Sequence, residues 1–128
     1  MANYVERLQP ELEVNYCRLV VVWVDDPAST RLARKELGAA FPFLCDQERK
    51  VIGDLDIVDT TDVHHPRIAI PYTFVLDHDR EIYQIYNGWW YVGRPTVEEL
   101  RMDLRALMSR RRDWWYGDTP PPYAPGER

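Results

Sequence analysis

Cys17 and Cys45 are the only two cysteines of the chain. A cysteine acts as nucleophile or metal ligand through its thiolate, so surroundings that favour the charged sulfur mark a working site. Cys45 closes the apolar run Phe41-Pro42-Phe43-Leu44 and stands directly before Asp46, a residue type that caps helices. If that run is a strand of a parallel sheet, Cys45 lies at the carboxyl edge where α/β proteins place their sites. A helix N-terminus there would also favour its thiolate. Cys17 falls between a helical segment and an apolar run. On the same topology it lies at the opposite edge and reads as a plain thiol. No disulfide between the two is expected in a reducing compartment. Neither C-x-x-C nor a zinc-ligand spacing occurs. His64 and His65 are adjacent, with Asp59 and Asp62 nearby. Neighbouring histidines on one element point apart, and no third ligand follows at metal spacing, so no metal is expected. His78 falls in a charged turn and reads as solvated. No Gly-rich phosphate loop and no G-x-S-x-G elbow is present. No cofactor is expected.

The elements that must position these residues follow from pattern. Asn3 to Val14 reads as a helix, with Val5, Leu8 and Leu12 on one face and Asn3 and Glu6 at capping-box spacing. Pro10 inside it predicts a kink or a fresh start with the proline in a first turn. Arg18 to Val24 is Val-rich and does not alternate, which predicts a strand covered on both faces. Asp26-Pro27 starts a second helix that stops at Gly38. Phe41 to Cys45 reads as a short extended segment, and Asp46 as the cap of a helix over 47–55. Residues 56–67 read as a loop. Tyr72 to Leu76 and Ile82 to Tyr86, joined by Asp77-His78-Asp79-Arg80, form a hairpin. Thr96 and Glu99 make a capping box ahead of the stripe Val97, Leu100, Leu104, Leu107 and Met108. Arg110-Arg111-Arg112 suits the end of that helix.

The chain has 128 residues, 45% hydrophobic and 29% charged. That is a globular composition and a one-domain length. A domain over 1–112 and an aromatic, Pro-rich tail over 113–128 are expected. Lys and Arg number 16 against 21 Asp and Glu, a net charge of −5, the opposite of the balance that nucleic-acid binders carry. The longest apolar run, Leu19 to Val24, is far too short for membrane insertion. The N-terminus lacks the basic-then-apolar pattern of a signal peptide, so a cytoplasmic protein is expected. With 5 Trp and 8 Tyr, the aromatic content is high. Trp89-Trp90-Tyr91 and Trp114-Trp115 read as contact patches for a protein partner, since aromatics concentrate in interface centres.

Several segments then resemble a known family. Phe41-Pro42-Phe43-Leu44-Cys45-Asp46 is similar to the FPLLSD segment of peroxiredoxin-like redoxins, the alkyl hydroperoxide reductase and thiol-specific antioxidant family. Arg18 to Asp25 resembles their VVAVSVD strand, Thr73 to Asp77 their TFVLD strand, and Gly93 to Glu99 the GRSVDE segment that opens their last helix. The resemblance covers about Tyr4 to Met108. It implies an α/β, thioredoxin-like fold of the peroxiredoxin type, a mixed sheet flanked by helices. It also implies that the chain starts after the family's first strand and its P-x-x-x-T/S-x-x-C motif. By the resemblance, Arg94 matches a late arginine of the active-site region. Pro71 stands where two-cysteine members carry an arginine, and thioredoxin-like relatives carry a cis proline there.

Two functional readings stay open. In one the chain resembles a thiol-dependent antioxidant oxidoreductase, weak or inactive as a peroxidase for want of the peroxidatic cysteine. Cys45, Arg94 and Pro71 are then its candidate site residues. In the other it is a non-catalytic interaction subunit, a homodimer or part of a larger protein assembly, bound through an exposed strand edge, the aromatic loop and the tail.

Overall fold

The structure is a computed structural model that describes residues 1–61, 63–64, 67–88 and 93–110. Its elements are a π-helical turn Tyr4–Leu8, α1 Gln9–Val14, β1 Val21–Trp23, α2 Pro27–Leu37, β2 Phe43–Cys45, α3 Lys50–Asp54, β3 Val58–Asp59, β4 Ile68–Ala69, β5 Tyr72–Leu76, β6 Ile82–Asn87 and α4 Val97–Arg110.

Pro10 shapes the first of these. It has no N–H to give the carbonyl of Glu6, and its ring would crowd that carbonyl. The chain answers by starting a new helix with Pro10 in its first turn, and by widening the turn before it into π geometry, where Gln9 N–H donates to Tyr4 O. Residues four apart overshoot a full α-turn but undershoot a π-turn. The two drifts offset each other, so Tyr4, Leu8 and Leu12 are all buried on one line. The expected Asn3–Glu6 capping box does not form. Asn3 is itself helical, with φ −60° and ψ −35°. The carbonyl of Met1 already takes the N–H groups of Tyr4 and Val5, at 2.9 and 3.2 Å.

The N-terminal helices lie on α4. Their line of side chains meets Val75, Val97 and Leu100 to form the main core, flanked by Cys17, Leu19, Tyr83, Tyr86, Leu104 and Leu107. Tyr4 donates its hydroxyl to Pro95 O. Arg7 pairs with Glu98. Arg101 grips Glu11 with both Nε and Nη2, at 2.8 and 2.7 Å. The two partners of each of these contacts stand about ninety residues apart in sequence. The capping box of α4 forms as its sequence predicts: Thr96 N–H donates to Glu99 Oε1 and Glu99 N–H to Thr96 Oγ1, both at 3.1 Å. Tyr86 donates to Asp103 at 2.6 Å and Arg110 stacks 4.8 Å above the Tyr83 ring, so the middle and the C-terminal end of the helix are tied to β6.

The strands hydrogen-bond as three separate pairs. β1 and β2 are parallel, with Val21 opposite Phe43, Val22 opposite Leu44 and Trp23 opposite Cys45. β5 and β6 form the expected antiparallel hairpin, with an irregularity between Val75 and Leu76. The third pair, β3 with β4, is antiparallel and falls partly inside the segment expected to be a loop. At two residues per strand it is too short to show a period. Two further expectations fail here. The strand expected over Arg18 to Val24 is covered on one face only. Val20 and Val22 remain 49% and 42% exposed, so no element among the described residues covers that face. The bond before Pro71 is trans, the ordinary preference of an X–Pro bond.

Gly88 sits buried at the end of the hairpin, donating its N–H to Pro71 O at 2.7 Å. A Cβ there would lie 2.5 Å from that same oxygen, so only glycine closes this corner. α2 is bounded as expected. Asp26 accepts from Ser29 N at 2.9 Å, and Gly38 turns left-handed at φ 68°. Asp46 works as a cap from a distance. Its carboxylate accepts Val51 N–H at 3.1 Å and Ile52 N–H at 3.0 Å, while the chain bends through Arg49 at φ 57°. The helix it serves, Lys50–Asp54, is shorter than expected.

Asp46 yields a pH prediction. Burial works against its charge, but the N–H groups of Ile52, Val51 and Lys50 and the charge of Arg49 prevail and hold its carboxyl below the usual value. A group lowered on folding gives its full stabilisation above its unfolded pKa of about 3.9 and loses it as pH falls through the folded value. Asp46→Ala should cost about 1 kcal/mol at neutral pH, the usual worth of a lost cap. The gap from the parent should close in acid below that range. Denaturant melts at several pH values check both.

Candidate functional site

β2 carries Cys45 to the carboxyl end of the parallel pair, in register with Trp23. The sulfur reaches across to the first turn of α2. Sγ donates to Asp25 O at 2.7 Å. Thr30, buried at 3% exposure, points its hydroxyl at the same carbonyl, 3.3 Å away, and stands 3.9 Å from the sulfur. Trp23 Nε1 donates to Asp25 Oδ2 at 2.7 Å, and its ring stacks on Phe43 with centroids 5.5 Å apart. Cys45 is exposed. The helix near it is therefore α2, fifteen residues back at Thr30, and not the short helix that follows it in sequence. Sequence reasoning missed Thr30 and Asp25. Their only signal is position: Thr30 stands on the first turn of a helix whose start, Asp26-Pro27, was legible.

Cys17 is the other kind of thiol. It is half-buried against the main core, donates to Asn15 O at 3.1 Å, and burial raises its pKa. Both cysteines are free.

Among the described residues, no hydrogen bond links the three expected site residues to one another. Arg94 is exposed and belongs to the start of the chain. The Met1 amine has its pKa lowered by burial and by the charge of Arg94. The Tyr4 hydroxyl, raised by burial, feels the same charge in the opposite sense. Cys45 instead has Asp25 and Thr30 as partners. Pro71 is half-buried and holds Gly88. Trp89, Trp90, Tyr91, Trp114 and Trp115 lie outside the described residues, as do Asp62 and His65. Asp77, His78 and Asp79 bring ligand atoms within 4.8 Å of one another in the hairpin turn. Asp77 Oδ1 there accepts the N–H groups of Asp79 and Glu81, both at 2.9 Å, and His78 pairs with Asp79 at 3.2 Å. These contacts account for the cluster without an ion. Among the described residues no helix is long and apolar enough to cross a membrane.

The model of the AhpC/TSA family matches residues 1–85. The chain belongs to the AhpC/TSA family. Among solved structures, Mycobacterium tuberculosis AhpC superposes with a TM-score of 0.65 at 23% identity, over 87% of this chain and 61% of that one. That likeness shows the thioredoxin-like fold of the redoxins. This chain spans less than two-thirds of the length of that relative. No curated protein matches.

The two thiols should separate in a timed alkylation. Cys45 should react with iodoacetamide first. Cys17, half-buried and raised in pKa, should follow on the order of tenfold more slowly, since rate tracks exposure and thiolate fraction. Peptide mass spectrometry assigns each site, and equal rates would contradict this assignment.

Proposed function

We propose that this chain is a redoxin-type thiol protein with weak or no peroxidase turnover of its own. In a thiol peroxidase the thiolate attacks one peroxide oxygen. An S–O bond forms, the O–O bond breaks, and the leaving oxygen takes a proton. The step needs a nucleophilic sulfur with positive or hydrogen-donating groups around the peroxide. One observation carries the reading. The exposed thiol, Cys45, and the candidate cation, Arg94, have no partner in common. The sulfur donates to a carbonyl oxygen, a bond that only the S–H form makes. Mixing the chain with hydrogen peroxide and a thiol reductant should consume no more peroxide than a Cys45→Ser variant does. Turnover that disappears in Cys45→Ser would overturn the reading and make Cys45 the nucleophile.

A second reading has its own support, an interaction subunit that forms a homodimer or joins a larger assembly. β1 is paired on one side only, and Val22 and Leu44, opposite each other in register, are 42% and 54% exposed. A strand with an open edge and an apolar face is a template for strand addition, and Trp89, Trp90 and Tyr91 would extend such a contact. Sedimentation velocity over a wide concentration range should show self-association that weakens in Leu44→Lys. A monomer at every concentration would remove the homodimer.

A further inference from the structure

A groove of about 290 Å³ runs between α1 and α4. Leu8 and Leu12 line it on one side and Leu104 and Met108 on the other, beside polar side chains that include the Glu11–Arg101 pair. The groove is the continuation of the main core: Leu8 and Leu12 are buried members of it and Leu104 packs against it. Here the layer of side chains over the core is thin, and an apolar hollow opens to solvent.

The position of this groove along the chain points to its occupant. Met108 and Ser109 line it, and the described part of α4 runs to Arg110. The next residues are Arg111-Arg112-Asp113-Trp114-Trp115-Tyr116. From Arg110 to Trp114 is four residues, a reach of up to about 14 Å. From Met108 back to Leu104 along the helix is about 6 Å. The segment therefore has length to reverse and lay an indole over the hollow. The tether places it there at a millimolar effective concentration, without an encounter step. The chemistry matches as well. Large flat aromatics prefer an apolar cleft with a polar rim. Arg105 is exposed and acts on Glu11 through its charge alone, so its guanidinium can still meet an indole face or the Asp113 carboxylate. Left in water, the run of three aromatics would expose a large apolar area.

We propose that the groove between α1 and α4 seats the chain's own C-terminal segment, with one indole of the Trp114–Trp115 pair inserted among Leu8, Leu12, Leu104 and Met108. The segment then acts as an intramolecular strap that closes the main core and holds the N-terminal helices onto α4.

Fluorine NMR of the full chain, with all five tryptophans replaced by fluorotryptophan and assigned through single Trp→Phe variants, reads the exposure of each indole from its H2O-to-D2O shift. At least one of Trp114 and Trp115 should lose most of that shift at every protein concentration. Met108→Arg, a half-exposed position on the groove wall, should restore it. Full shifts at both tail indoles in the parent chain overturn the proposal. So does protection that vanishes on dilution, which would make a second copy the occupant, and so does protection that persists in a folded Met108→Arg. If circular dichroism shows that variant unfolded, a chain ending at Arg112 replaces it. It should bind the dye anilinonaphthalene sulfonate several-fold more than the full chain does, and equal binding overturns the proposal.

Discussion

Everything in this molecule leans on the packing of its first fourteen residues against its last helix. The contacts are of every kind: a buried apolar line, a hydroxyl on a carbonyl, and ion pairs along the flank. Pro10 decides how that line is built. A regular α-helix carrying Tyr4, Leu8 and Leu12 would rotate its apolar stripe away from α4, and a proline in its middle would break it. The π-turn resolves both difficulties at once. It satisfies the main chain around the missing N–H and turns the stripe back toward the core. The ion pairs then act on exposed or half-exposed ground, where they steer register more than they add stability. Burial of the line itself stabilises the contact, at about 1.5–3 kcal/mol for each large side chain fully removed from water.

That packing organises one half of the chain and leaves the other less covered. The hairpin β5–β6 and α4 share the main core with the N-terminal helices. β1 pairs with β2 and α2 packs on β2, and Phe41, Ile52 and Ile57 are buried outside the main core. The two halves meet through Cys17 and Leu19, which lead from α1 into β1 and pack on the main core, and through Gln9 Oε1, which accepts the Ala40 N–H at 2.8 Å. No ladder of hydrogen bonds joins β1 to β5. A strand paired on one side keeps half of its N–H and C=O groups for water or for another strand. Beside that open edge, Val20, Val22 and Leu44 leave an apolar face exposed as well.

Local chemistry in the sequence was read well, and long-range partnership was not. The Asp26-Pro27 start of α2, its Gly38 stop, the Thr96–Glu99 capping box and the Asp77–Arg80 hairpin turn are each written in residues within four positions of one another, and all stand as expected. The family too was legible, since its segments keep their order along the chain. The failures share a cause. That Val22 is exposed depends on what packs over its face of β1, and a Val-rich run looks the same whether that face is covered or bare. That Asn3 does not cap depends on Met1 supplying its carbonyl first. For the candidate site, Cys45 at the carboxyl edge of a parallel strand was legible. Its neighbours Asp25 and Thr30 were not, because a parallel pair brings together residues fifteen to twenty apart. Arg94 and Pro71 rested on resemblance, and each has structural partners of its own, Arg94 at the chain start and Pro71 at Gly88.

The placement of the two thiols limits any redox chemistry the fold can support. Cys17 precedes β1 at its amino end, and Cys45 closes β2 at the carboxyl end of the same parallel pair. Six residues separate Cys17 from Trp23, the register partner of Cys45, an extended span of about 20 Å. A disulfide needs Cα atoms within about 7 Å. The intervening strand is hydrogen-bonded to β2, and Leu19 is held on the main core, so the span cannot collapse while both remain folded. An oxidised Cys45 therefore has no resolving partner within the described fold. Its sulfenic acid would condense with a thiol from outside, losing water to form a mixed disulfide, and a second external thiol would release it. The sulfur's surroundings suit that order of events. It is open to a bulky reductant on the solvent side and faces a carbonyl and a hydroxyl on the other, with no second sulfur in reach. Reduction of an oxidised Cys45 in this fold would therefore draw on a thiol of another molecule.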